Sequence, residues 1–112
     1  MGFRSDLDAL ILGALDQGSA HGYEIAKRIK ARSGKLLQIA EGQLYPALHR
    51  LEERELVVAE WEAQQGKPSR KLYALTPAGK AELAQQKQRW KEFVQGVSGV
   101  LQVSPTPEGN RG

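Results

Sequence analysis

"EGQLYPALHRLEERE", residues 41–55, carries its apolar side chains at Leu44, Ala47, Leu48 and Leu51, spaced i, i+3, i+4 and i+7. That spacing lays them along one face of an α-helix. Pro46 stands inside the pattern, although a helix interior rejects proline, whose ring removes an N–H and crowds the preceding turn. The conflict eases if Pro46 lies in or just past the first turn, where several N–H groups have no intrahelical partner in any case. On a helical wheel Gly42, Pro46 and His49 fall opposite the apolar stripe, flanked by Tyr45 on one side and by Gln43 and Arg50 on the other. An ordinary solvent face favours Ala, Lys and Glu; glycine and proline lower helix propensity and need a reason.

Two helices are expected upstream. The first spans about 6–16, with Ser5 as N-cap, Leu7, Leu10, Ile11 and Ala14 as its buried stripe, and Gly18 as its end. The second runs from about Gly22 to Ser33, with Gly22, Ile25, Ala26 and Ile29 inward and Gly34 as the stop. Tyr23 is expected to face the core or a neighbouring helix, and His21 to be a cap or a packed surface residue. Downstream, "LVVAEWE" and "RKLYALT" read as strands, and the polar "AQQGKPS" between them closes a β-hairpin. Thr76 then caps a long helix with Pro77 at its first position. Helix, helix, helix, hairpin, long helix is the order of a winged helix-turn-helix, mainly α with a small β-hairpin, whose third helix enters the major groove. The expected boundaries are 1–75 for this domain, with the recognition helix at about 41–54 and the wing at about 63–70. A C-terminal dimerisation helix follows at 76–102, and the Pro- and Gly-rich 103–112 is expected to be a disordered tail.

Composition narrows the function. The 112 residues suit one small domain, and the absence of cysteine removes disulfides, thiolate zinc sites and cysteine nucleophiles while agreeing with a reducing cytoplasm. No apolar run nears the roughly 18 residues that span a bilayer, and the start has neither a secretion signal nor a complete myristoylation pattern. Two separated histidines and scattered carboxylates offer no catalytic or metal-binding constellation, so neither an enzyme nor a cofactor or metal is expected. The net charge is +3 with a pI near 9.3. From Ala63 to Ala81 every charged residue is a cation: Lys67, Arg70, Lys71 and Lys80. A basic balance of this kind suits an anionic partner.

The outward face of the 41–54 helix has the chemistry to meet double-stranded DNA. Gly42 leaves the helix N-terminus bare, so free N–H groups and the positive dipole end can approach a phosphate. Gln43 can pair with adenine edges, Arg50 with guanine or phosphate, and His49 with a base acceptor or a phosphate. Lys27, Arg28 and Arg32 of the second helix are further phosphate candidates, with a merely solvated face the equal alternative. Glu41 runs against the pattern, because an acid beside the helix start repels phosphate.

At these residues the chain resembles the PadR family of transcriptional regulators. "GQLYPALHRLEERELV" is similar to that family's recognition-helix signature, Gly-x-Leu-Tyr-Pro-x-Leu followed by Arg-Leu-Glu. "LDALILGAL", "HGYEIAKRI" and "GKPSRKLYALTPAGKAEL" extend the likeness over about 7–101. The resemblance implies a wing that grips the DNA backbone through Lys67, Arg70 and Lys71, and a homodimer joined through the last helix with help from the first. It also implies the compact subgroup, a repressor released by a small hydrophobic or aromatic effector, and Trp90 as the residue lining the effector space. Glu55 stands where family members commonly carry glycine, so that turn must form without it. Independently of the family, Leu83, Trp90 and Val97 recur every seven residues, with Phe93, Val94, Val100 and Leu101 between and after them. So small a domain has no place to bury them all, and each large side chain buried is worth roughly 1.5–3 kcal/mol, which favours a partner helix. Leu83, Trp90, Phe93, Val94, Val97 and Leu101 are the candidate dimer residues. The rival reading is a winged-helix protein-interaction module without DNA binding.

Overall fold

The computed structural model describes residues 3–104, with side chains from Asp6 onward. Its elements are α1 (Phe3–Leu15), β1 (Ala20–His21), α2 (Gly22–Arg32), α3 (Glu41–Glu53), β2 (Val57–Gln64), β3 (Lys67–Leu75) and α4 (Pro77–Leu101). Helix α1 starts at Phe3 rather than near Asp6, so Ser5 lies within its first turn and is not its N-cap. Phe3 and Arg4 are both compatible with a helix, and a capping residue alone does not start one. Of the expected tail, Val103 and Ser104 are exposed and residues 105–112 lie outside the described residues.

The sheet has three strands, in the order β1-β3-β2, where the sequence predicts two. Strand β1 pairs Ala20 with Tyr73 and His21 with Leu72; two residues are too few to show the alternation by which a strand is recognised. The hairpin pairs β2 with β3 antiparallel from Val57↔Leu75 to Gln64↔Lys67, with an irregularity between Glu62 and Gln64.

Apolar stripes from α1, α2 and α3 meet in one core, where Ile11, Leu12, Ile25, Leu44, Leu48 and Leu51 are almost wholly removed from water. Val57 and Tyr73 of the sheet close it, and Leu83 of α4 joins it. Leu83 is thus buried within its own chain, because the first turns of α4 lie on α1. Tyr23, expected inside, is exposed; with Gly22, Ile25 and Ile29 facing the core, a step of about 100° per residue turns Tyr23 outward.

Helix α3 ends in a Schellman turn. Leu56 N–H donates to the Leu51 carbonyl at 3.0 Å and Glu55 N–H to that of Glu52 at 2.9 Å. Glu55 takes the left-handed conformation, φ +59°, that glycine ordinarily supplies. Helix α4 is docked on this turn. The Thr76 hydroxyl donates to the Glu55 carbonyl at 2.7 Å, accepts from Gly79 N–H at 3.0 Å, and Thr76 N–H donates to the Leu56 carbonyl at 3.1 Å. Gly79 is buried directly against the Leu56 carbonyl, where a Cβ would collide with backbone. Helix α4 runs beside α1 as far as Trp90, and its remaining turns project from the domain, so that the molecule is 54 Å long and 27 Å wide.

Candidate nucleic-acid interface

The N-terminus of α3 is presented to solvent. Ala40, extended and with no side-chain cap, precedes it, and its carbonyl accepts from Gln43 and Leu44 N–H, both at 2.9 Å. The N–H groups of Glu41 and Gly42 come before these bonds and point outward, as at any helix start. Gly42, Gln43, Tyr45, Pro46 and His49 are all exposed, while Leu44, Ala47, Leu48 and Leu51 are buried. Pro46 is just past the first turn. It forgoes the bond its N–H would make to the Gly42 carbonyl, which the solvent-facing position of both residues allows.

Tyr45 has a more defined place than exposure alone implies. A Cβ built on Gly22 would lie 2.6 Å from the Tyr45 hydroxyl and 2.7 Å from its ring. The phenol thus lies across the bare backbone at the start of α2, which fixes where it can reach. His49 leans along the helix to Glu53, at 3.5 Å.

Several cations that the sequence offers to DNA are drawn to acids or carbonyls of the fold. Arg50 is half-buried and turned toward α1, with a terminal nitrogen 3.5 Å from Asp8 Oδ1. Its Nε is buried without a hydrogen-bond partner. The wheel places Arg50 beside the outward face; the mostly buried Asp8 carboxylate holds it back, because a charged pair partly removed from water attracts strongly. Arg28 donates to the carbonyls of Ala14 at 3.1 Å, Gly18 at 2.8 Å and Ser19 at 3.3 Å, and Arg32 to that of Gly13 at 3.4 Å. Both arginines satisfy carbonyls at and beyond the C-terminal end of α1, where the helix dipole favours a cation.

On the wing, Lys67 is exposed at the start of β3, beside Gly66, whose φ of +72° makes the turn. Arg70 and Lys71 stand further down the stem. Arg70 Nε lies 3.4 Å from Glu62 Oε1, and Lys71 Nζ donates to Glu52 Oε1 at 3.2 Å while lying 5.5 Å from the Trp61 ring centre.

His21 is the residue whose importance sequence reasoning missed. Its N–H donates to Glu24 Oε1 at 2.8 Å, its Nδ1 lies 2.8 Å from the same oxygen, and its Nε2 lies 2.9 Å from Glu62 Oε1. One buried ring thus joins the start of α2 to the wing stem. Backbone and then side-chain hydrogen bonds from His21 hold the Glu24 carboxyl below the usual range. The side-chain hydrogen bond from His21, with Arg70 adding to it, does the same for Glu62. The signal available was the acid three residues after a helix-start residue, a capping-box spacing; the tie to Glu62 has no local signature. Burial, with the Glu52 carboxylate nearby, pushes the Tyr73 hydroxyl above its ordinary value.

Away from this face, an apolar cleft of about 550 Å³ lies between α1 and α4, lined among others by Ala9, Leu10, Gly13, Leu37 and Trp90. Trp90 is half-buried and meets Phe93 edge-on at 5.7 Å. Val94 is half-buried; Phe93, Val97, Val100 and Leu101 are exposed along the projecting end of α4. No helix among the described residues is long and apolar enough to cross a membrane, and these residues contain no cluster of three or more metal-ligating side chains.

Three packed helices, the last with an open N-terminus beside a two-stranded wing, define a winged helix-turn-helix protein, here extended by one long helix. Comparison with known proteins gives the family. Residues 11–85 match the model of the "Transcriptional regulator PadR-like family", and the chain belongs to it. An uncharacterized protein X of Lysinibacillus sphaericus is 35% identical over 89 residues, which are 80% of this chain and 82% of that one. A transcriptional regulator from Clostridium thermocellum superposes with a TM-score of 0.78 at 29% identity, covering 86% of this chain and 90% of the other. Bacillus subtilis PadR in complex with operator DNA superposes with a TM-score of 0.66 at 32% identity. The match covers 71% of this chain but only 45% of that protein, so this chain corresponds to about half of it. The family is one of transcriptional regulators, not of enzymes.

Proposed function

We propose that this regulator binds operator DNA as a homodimer, represses from it in the cytoplasm, and is released by a small hydrophobic or aromatic effector. The observation that carries the reading is the exposed row Gly42, Gln43, Tyr45 and His49 on α3, set beside a wing with Lys67 at its turn. Gln43 and His49 read base edges, Gly42, Tyr45 and Pro46 fit the helix start to the backbone, and Lys67, Arg70 and Lys71 add sequence-independent affinity. Arg50 joins the contact only by leaving Asp8; in place, it holds α3 to α1.

Phe93, Val94, Val97 and Leu101 bury their side chains against a second copy, and two recognition helices then stand one duplex turn, about 34 Å, apart. The cleft beside Trp90 takes the effector. Because α1 and α4 both line it, a ligand that prefers one arrangement of these helices changes the spacing of the recognition helices.

Anisotropy titrations of fluorescent duplex from upstream of the chain's own gene, at two salt concentrations, test this. Binding no tighter than to random duplex refutes it. Gln43→Ala weakens the operator selectively, whereas Tyr45→Ala and Lys67→Ala weaken all duplexes, and Lys67→Ala also flattens the salt dependence by about one phosphate. Val97→Glu gives a monomer in sedimentation and loses operator affinity with it.

A further inference from the structure

Trp61 lies on the inward side of β2, in alternation with Val57 and Ala59. Along this row Val57 is buried, Ala59 is half-buried and Trp61 is 68% exposed. The sheet therefore runs out beyond the helices and carries an indole into the space between wing and recognition helix. There it forms one wall of an open cleft of about 320 Å³, with Tyr23, Tyr45 and Tyr73 as the other aromatic sides and Arg70 and Lys71 on the rim. Four aromatic rings and two cations from four different elements converge on a place that neither the core nor the helix face explains.

We propose that this cleft seats one sugar–phosphate unit of the DNA strand passing between α3 and the wing, with Trp61 as its packing wall. The inference rests on the DNA-binding reading above and locates a contact within it. The cleft is continuous with the α3 face, because Tyr45 belongs to both. Its chemistry is mixed in the way a nucleotide backbone requires. Ring faces suit a deoxyribose, while hydroxyl and indole N–H groups donate to phosphate oxygens. Lys71 gives one hydrogen to Glu52 and Arg70 uses one nitrogen on Glu62, which leaves further donors on both for a phosphate. A sugar–phosphate seated at the wing stem is a backbone contact and not a base-edge contact, so its contribution is the same for every sequence.

Two measurements test it. Trp61→Ala lowers affinity for operator and random duplex by the same factor, roughly three- to ten-fold, and leaves the salt slope unchanged because indole is neutral. Thermal unfolding checks that the variant keeps its fold, as expected for an exposed side chain. Labelling with 5-fluorotryptophan gives fluorine resonances for the two indoles, and loss of one in Trp61→Phe assigns it. The Trp61 resonance shifts on saturation with either duplex.

If duplex binds while the Trp61 resonance stays in place, or Trp61→Ala binds as well as the parent, the subsite is wrong and the regulator reading survives. A Trp61 shift with a flat aromatic compound but not with DNA identifies a small-molecule cleft and overturns the proposal. Failure of every duplex to bind removes both readings together.

Discussion

Glu55→Gly stabilises the domain without touching the DNA face. Glu55 sits at φ +59°, where a Cβ crowds the following carbonyl at a cost of about 1–2 kcal/mol. The position cannot relax, because the turn carries both the Schellman bonds of α3 and the Thr76 bonds that dock α4. Glycine removes that cost but gives up roughly 0.4–1 kcal/mol through the freer unfolded chain. The net gain is about 0.5–1 kcal/mol, or a rise in Tm of roughly 2–8 °C for a domain of this size. Thermal unfolding by circular dichroism, at one fixed protein concentration so that any dimer contributes equally, measures it. Glu55→Ala is the control, since it removes the carboxylate and keeps the Cβ. Equal stabilisation by glycine and alanine would refute the backbone argument and point to charge; no gain from glycine would mean that the turn is unstrained. Duplex affinity stays unchanged in both variants, because Glu55 lies past the C-terminal end of α3.

Gly22→Ala pushes against the far end of the Tyr45 side chain, which swings away at little cost; unfolding is nearly unaffected, while duplex affinity drops several-fold in the anisotropy assay. Gly79→Ala meets the Leu56 backbone instead and lowers stability by about 1–3 kcal/mol, measured by urea denaturation. The Glu24 and Glu62 carboxyls are lowered in the fold from an ordinary value of 4.5. The stability they contribute is therefore complete above that value and is lost as pH falls through the lower folded values. Below about pH 4.5 the parent loses stability more steeply than Glu62→Gln in acid titrations followed by circular dichroism, and equal slopes would mean that the His21 bridge is absent in solution.

The elements that the sequence displays most openly are those with a repeating local cause. The Leu44–Leu51 stripe, the polar turn between the two strands and the Thr76-Pro77 start each follow from periodicity or from backbone chemistry within a few residues. The α1 start and strand β1 were not legible in the same way. Ser5 had the right chemistry for a cap but Phe3 and Arg4 ahead of it are helical, and Ala20–His21 become a strand only because β3 lies beside them.

The candidate interface divides along the same line. That Gly42, Gln43, Tyr45, Pro46 and His49 face outward follows from counting residues around a helix, and no other element is needed to place them. Where the long cations go is a matter of what stands within reach in three dimensions. Arg50 finds Asp8, Lys71 finds Glu52, Arg70 finds Glu62, and Arg28 finds the carbonyls at the end of α1. None of these partners is within seven residues, so no local pattern announces them. The rings around Trp61 and the tie from His21 to Glu62 have the same origin. Periodicity and capping set the helices, the wing and the face of α3; tertiary packing alone chose which charges remain for a ligand, because electrostatic pairing depends on distance in space and not on separation along the chain.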